Sequence, residues 1–173
     1  MIRLANKIDT RFLSLDKLIF LLSFFPLVAA YIIEYLFGLE PCNLCLYQRI
    51  PFFIILFLTL LSTFFFSSLK IKNYIVFLII LLFFTNMILA LYHVGVEQKF
   101  FALPPSCSGL NLLDASNINE LTEIIMNKKA VRCDEPNFKF FGITLATFNV
   151  LYCLFATTLI CLIKIKIVKF KSK

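Results

Sequence analysis

Charged side chains make up only 16% of the 173 residues, and glycine occurs just four times. So little charge excludes a soluble enzyme with a polar shell. So little glycine excludes collagen-like and Gly-rich linker chains, and the abundance of large apolar residues excludes disorder. What fills the sequence is 61% hydrophobic residues, with 22 phenylalanines. This is the composition of a chain that lives in a membrane. The formal charge of +7 does not point to nucleic acid, because the basic residues cluster beside apolar runs instead of on a folded polar face.

A hydrocarbon core about 30 Å thick takes roughly 20 helical residues. Four stretches qualify, at 18–37, 46–66, 74–92 and 140–163. The short connections at 38–45 and 67–73 force neighbouring spans to be antiparallel. The expected architecture is therefore an all-α integral membrane protein, one four-helix bundle over residues 1–173 with both termini on one side. Eleven Lys and Arg residues lie in the two tails and the 67–73 turn, against six, offset by seven acids, in the segments of the other side. The positive-inside rule makes the tails cytoplasmic and 38–45 and 93–139 the outer loops. Arg11 and Lys17 ahead of an apolar run ending in Val28-Ala29-Ala30 also fit a cleavable signal peptide. The run continues to Phe37, however, so an uncleaved first span is expected.

The loop 93–139 is too polar to span and too long for a turn. Pro104-Pro105 and Ser108-Gly109 break regular structure near its start. Asn117 and Glu120 form a helix-capping pair ahead of Ile118, Leu121, Ile124 and Ile125, which share one face. A short amphipathic helix lying on the membrane surface is expected there.

Six cysteines divide by position: Cys42 and Cys45 in the first outer loop, Cys107 and Cys133 in the second, and Cys153 and Cys161 inside the fourth span. The last two read as small apolar packing residues. Outside the cytosol the outer four should form two disulfides. The Cys107–Cys133 pair closes a long loop and suits a staple worth about 3 kcal/mol in the chain-entropy model. A Cys42–Cys45 bond closes so few residues that it restrains almost nothing and is easily reduced. Pro41 starts the second span beside it, and a helix N-terminus favours thiolate, the reactive form. Exchange chemistry is the stronger reading, with an inert staple and a zinc site as alternatives; zinc wants four ligands, and an oxidising compartment works against four free thiolates.

Arg49 lies four residues after Cys45, on the same helical face and one turn deeper. It either snorkels to the interface or serves as a fixed cation beside an electron acceptor. Pro51 leaves the Tyr47 carbonyl without its helical donor, so a kink is expected. Glu34, near the outer end of the first span, reads as snorkelling or protonated and outside the site. The C-terminal lysines read as an anchor to anionic lipid.

The motifs Pro41-Cys42-x-x-Cys45-x-Tyr47-x-Arg49, Tyr92-His93-x-Gly95-x-Glu97 leading to Pro105-Ser106-Cys107-Ser108, and Cys133-Asp134-Glu135 before Phe140-x-Gly142 together resemble the bacterial disulfide bond formation protein B (DsbB) family. The resemblance covers most of the chain. It implies a thiol oxidase of the bacterial inner membrane that reoxidises a periplasmic thioredoxin-fold, DsbA-like dithiol protein and reduces ubiquinone or menaquinone. It further implies that Cys107 takes the mixed disulfide with the partner, that Cys133 connects to Cys42 through an interloop disulfide, that Cys45 faces the quinone, and that Arg49 supports the quinone, with His93 nearby. Gln48 stands where an acid is familiar, and Phe138 where many relatives carry Trp. A noncatalytic scaffold with structural disulfides is the alternative. A vitamin K epoxide reductase-like enzyme fits less well, since its Cys-x-x-Cys lies late in the bundle.

Overall fold

The computed structural model describes residues 2–65, 68–107, 131–135, 139–140 and 142–171. Four long helices dominate: α1 (Ile2–Leu36), α2 (Asn43–Phe65), α3 (Leu69–Glu97) and α4 (Leu145–Lys171). All four are long and apolar enough to cross a membrane. A 3-10 turn covers Pro105–Cys107, and a two-residue antiparallel ladder pairs β1 (Lys139–Phe140) with β2 (Ile143–Thr144). The surface helix expected over 118–125 lies outside the described residues, as does Phe138.

The helix bounds differ from the apolar runs in an instructive way. Hydropathy measures only the length that prefers hydrocarbon, whereas backbone hydrogen bonding continues past it. Hence α1 reaches back to Ile2 and α3 continues beyond Tyr92 to Glu97. At the other extreme, α4 begins five residues after the start of its apolar run, because 140–144 is taken up by the ladder, whose Gly142 sits at φ +80°.

Each helix buries a stripe repeating every three or four residues. On α3 the stripe is Lys72, Ile75, Ile79, Phe83, Asn86, Ala90 and His93. On α2 it is Leu44, Gln48, Phe52, Ile55, Thr59 and Ser62. Large residues such as Phe57, Phe64, Phe77 and Leu154 point outward, as lipid-facing side chains do. α3 packs extensively against α4 and α2, and α1 against α2, whereas α1 and α4 meet more lightly. The ring of helices thus has one thin seam.

Pro26 interrupts the hydrogen-bond ladder of α1 by leaving the Leu22 carbonyl without a donor. The Tyr152 hydroxyl of α4 donates to that carbonyl at 2.6 Å, so the seam is pinned where the helix is weakest. At the end of the bundle holding the termini, the Ser62 hydroxyl donates to the buried Asp16 carboxylate at 3.3 Å. α3 closes at the opposite end with a Schellman turn. The Lys99 N–H donates to Val96 and the Phe100 N–H to Gly95, with Lys99 itself at φ 62°.

Candidate functional site

Cys42 occupies the position just before α2, where its carbonyl already accepts the Leu46 N–H at 3.1 Å. Its sulfur accepts the Cys45 N–H at 3.4 Å, as a capping side chain does. The Cys42 and Cys45 sulfurs are 3.0 Å apart and unbonded, so the pair stands here as a dithiol. Hydrogen bonding from Cys45, helped by His93, holds the Cys42 thiol well below the ordinary thiol range despite its burial.

The second pair, Cys107 and Cys133, is a disulfide joining the 3-10 turn to residues 131–135. Both residues are buried, and they pack with Cys42, Leu44 and Val96 in one apolar cluster. Asn43 ties the two loops together by donating its side-chain amide to the Ser106 carbonyl. The four outer cysteines are therefore gathered at one end of the bundle.

His93 joins them because it lies on the buried stripe of α3, one turn before the helix ends. It is 2% exposed, which places it inside the bundle instead of at the interface. Its Nε2 is 3.6 Å from the Cys42 sulfur and 3.7 Å from Glu97 Oε1. Its Nδ1 is 3.0 Å from Gln48 Nε2. Glu97 is held in turn by the Thr144 hydroxyl at 2.6 Å. Together, Cys42, Cys45 and His93 bring three soft-metal donors within 4.8 Å of one another.

Arg49 forms a 2.5 Å ion pair with Glu34 of α1, and its guanidinium stacks over the Tyr31 ring at 4.9 Å. The charge is thus matched inside the bundle and does not reach outward into water. Arg49, Cys42, Cys45, Gln48, His93 and Glu97 all line a cavity of about 410 Å³, whose remaining wall is largely apolar and includes Phe25, Ala30, Ile33, Phe52 and Phe148. It sits at the thin seam between α1 and α4.

The family profile for Disulfide bond formation protein DsbB matches residues 13–163. The chain belongs to the DsbB family. Membership makes it a membrane protein of disulfide-bond formation with thiol–disulfide oxidoreductase chemistry. A 142-residue stretch is also 26% identical to Uncharacterized protein RP370 of Rickettsia prowazekii (strain Madrid E), covering 82% of this chain and 81% of that protein.

Four side chains of this DsbB-family site are not proposed as site residues by the sequence alone: Glu34, Gln48 and Glu97, which it notes without a role, and Asn149, which it passes over. Glu34 is the partner of Arg49 and not a lone snorkelling acid. Asn149 Nδ2 donates to Gln48 Oε1 at 2.7 Å and so belongs to the surroundings of His93. A signal existed for some of them. Gln48 and His93 fall on the same three-and-four spacing as the core residues of their helices, and Glu97 follows His93 by one turn. Cys153 is fully buried in the apolar core, and Cys161 is partly buried on the same helix.

Proposed function

We propose that the chain is a quinone-linked thiol oxidase of the bacterial inner membrane, a single four-span unit that reoxidises a periplasmic thioredoxin-fold, DsbA-like dithiol protein. The observation that carries this reading is the Cys42–Cys45 pair at the start of α2, packed on one side against the Cys107–Cys133 disulfide and opening on the other into an apolar cavity. The excess of Lys and Arg in the tails favours cytoplasmic termini and periplasmic cysteines.

The cavity suits a quinone head group. It has the size of a small-molecule pocket, apolar walls for a flat ring, and a few convergent polar groups. Arg49, held by Glu34, would bind a quinone oxygen, with His93 close by. When bound, ubiquinone or menaquinone supplies the electron sink, taking two electrons and two protons to become the quinol.

The protein's own steps are thiol–disulfide exchanges. A partner thiolate attacks Cys107; a partner–Cys107 bond forms, the Cys107–Cys133 bond breaks, and Cys133 leaves as thiolate. The partner's second thiolate then displaces Cys107, leaving the partner oxidised by two electrons. Cys133 thiolate attacks Cys42 of the oxidised first pair, forming Cys133–Cys42 and releasing Cys45 as a thiolate into the cavity. Cys107 thiolate then attacks Cys133, re-forming Cys107–Cys133 and releasing Cys42; the walls keep water from the Cys42 and Cys45 sulfurs, whose bond would re-form as the pair gives up its two electrons to a quinone held there.

Purified protein in detergent, given a soluble quinone and a reduced thioredoxin-fold partner, should reduce quinone with turnover that disappears in Cys45→Ser. Well-folded wild type without turnover, across several partners and both quinone classes, would favour a scaffold whose outer disulfides only fix the loops.

A further inference from the structure

The polar groups buried beneath the redox pair form a chain of hydrogen bonds that all point one way. Asn86 Nδ2 donates to the Cys153 sulfur at 3.6 Å, and Cys153 donates to Asn149 Oδ1 at 3.4 Å. With its oxygen so engaged, Asn149 turns its Nδ2 to Gln48 Oε1 at 2.7 Å. That contact fixes the Gln48 amide with its nitrogen toward His93 Nδ1, at 3.0 Å. An amide nitrogen only donates, so Nδ1 must accept, and the neutral ring carries its proton on Nε2. Nε2 is the atom facing the Cys42 sulfur and Glu97.

We propose that Gln48, oriented by Asn149 and Cys153, is a positioning residue that fixes His93 as the Nε2–H tautomer, so that the ring serves the Cys42 sulfur as a hydrogen-bond donor and not as a proton acceptor. A proton on Nδ1 would set N–H against N–H across the Gln48 contact. The same tautomer leaves Nε2 without a free lone pair for a metal, which works against a zinc site built on Cys42, Cys45 and His93. It also gives a role to Gln48, one of the two residues by which this chain departs from the pattern it resembles, since an acid at position 48 would accept from Nδ1 and favour the other tautomer or the doubly protonated ring. In a buried chain each bond polarises the next, so the donor presented to Cys42 is strengthened by the groups behind it. The other ionisable groups around the ring and cavity are Cys45, Glu97, the Arg49–Glu34 pair, Glu40, Arg132, Glu135 and Tyr152; of these and Cys42, only Glu97 and Cys42 come within 4 Å of Nε2 among the contacts described. The value of the donor to catalysis rests on the thiol-oxidase reading, whereas the tautomer itself does not.

His93 is the chain's single histidine, so one ¹⁵N-labelled residue reports it without ambiguity. In the reduced protein in micelles, nitrogen NMR should find a neutral ring protonated on Nε2. Gln48→Glu should move the proton to Nδ1 or give the doubly protonated ring, and Asn149→Leu, which touches neither the Cys42 and Cys45 sulfurs nor the ring, should yield a mixture of tautomers. The pH midpoint of Cys42 alkylation should rise by about one unit in Gln48→Met, the size of one lost charge-assisted hydrogen bond. A wild-type ring protonated on Nδ1, or spectra that do not change in Gln48→Glu and Asn149→Leu, would overturn the assignment; an unshifted Cys42 midpoint in folded Gln48→Met would overturn the link to the thiol. None of these readouts uses quinone or partner, so loss of the oxidase reading and loss of this one are separate results.

Discussion

Cys42 concentrates the site's electrostatics in one sulfur. It accepts hydrogen bonds from the Cys45 side and sits at a helix N-terminus, and both favour the anion. A thiol whose pKa is lowered from the ordinary 9.0 gains stability in its reduced, ionised form that is fully present above pH 9.0 and is lost as pH falls through the lowered value. Alkylation of Cys42 should therefore stay on its plateau through neutral pH and decline only in acid, while a midpoint close to 9.0 would contradict the geometry. Arg49 makes a second prediction. On the proposed function, in which Arg49 binds a quinone oxygen, Arg49→Ala should raise the KM for quinone about 10- to 100-fold with a smaller effect on kcat. Steady-state kinetics over a quinone series would check this. Cys42, Cys45, Cys107, Cys133 and Arg49 were marked as candidates by the sequence because Cys-x-x-Cys before a span and an intramembrane cation have few uses. Gln48 and Asn149 were not, since an amide on an apolar stripe gains its meaning only from the ring or amide across the helix interface.

The helices carry their own tests. Tyr152→Phe would leave the Leu22 carbonyl unpaired, costing about 1–3 kcal/mol. Pro26→Ala in the same chain should recover most of that loss by restoring the helix's own donor, and thermal melting of the two single and one double variant in detergent would measure it. At the end of α3, the Phe101 ring lies against Gly95 where a Cβ would stand, which gives Gly95 a steric reason within its motif. Lys99, by contrast, holds a left-handed conformation that glycine adopts without strain. Lys99→Gly should raise stability by about 1 kcal/mol, and an unchanged or lower melting point would count against the Schellman turn. Four spans could be read from apolar length alone, but the ladder at 139–144 could not, because Phe140 and Ile143 look like the first turn of the fourth helix until Gly142 reverses the chain.

At the scale of the whole molecule, two contacts give the bundle its direction. The loops after α1 and α3 bring both cysteine pairs to one end, and the light packing of α1 against α4 leaves a cavity beneath them at the seam. On the proposed function, a lipid-soluble oxidant would reach this site from the side while a protein partner approaches from the end. The most direct measurement of this arrangement is a titration of fully oxidised, quinone-free protein with a reduced thioredoxin-fold partner, counting partner disulfides formed. With both cysteine pairs in the path, the protein should oxidise about two equivalents and then stop, since each disulfide accepts one electron pair; adding quinone should restart turnover. Oxidation that stops after one equivalent, or no restart with quinone, would contradict a continuous path from Cys107 to the cavity.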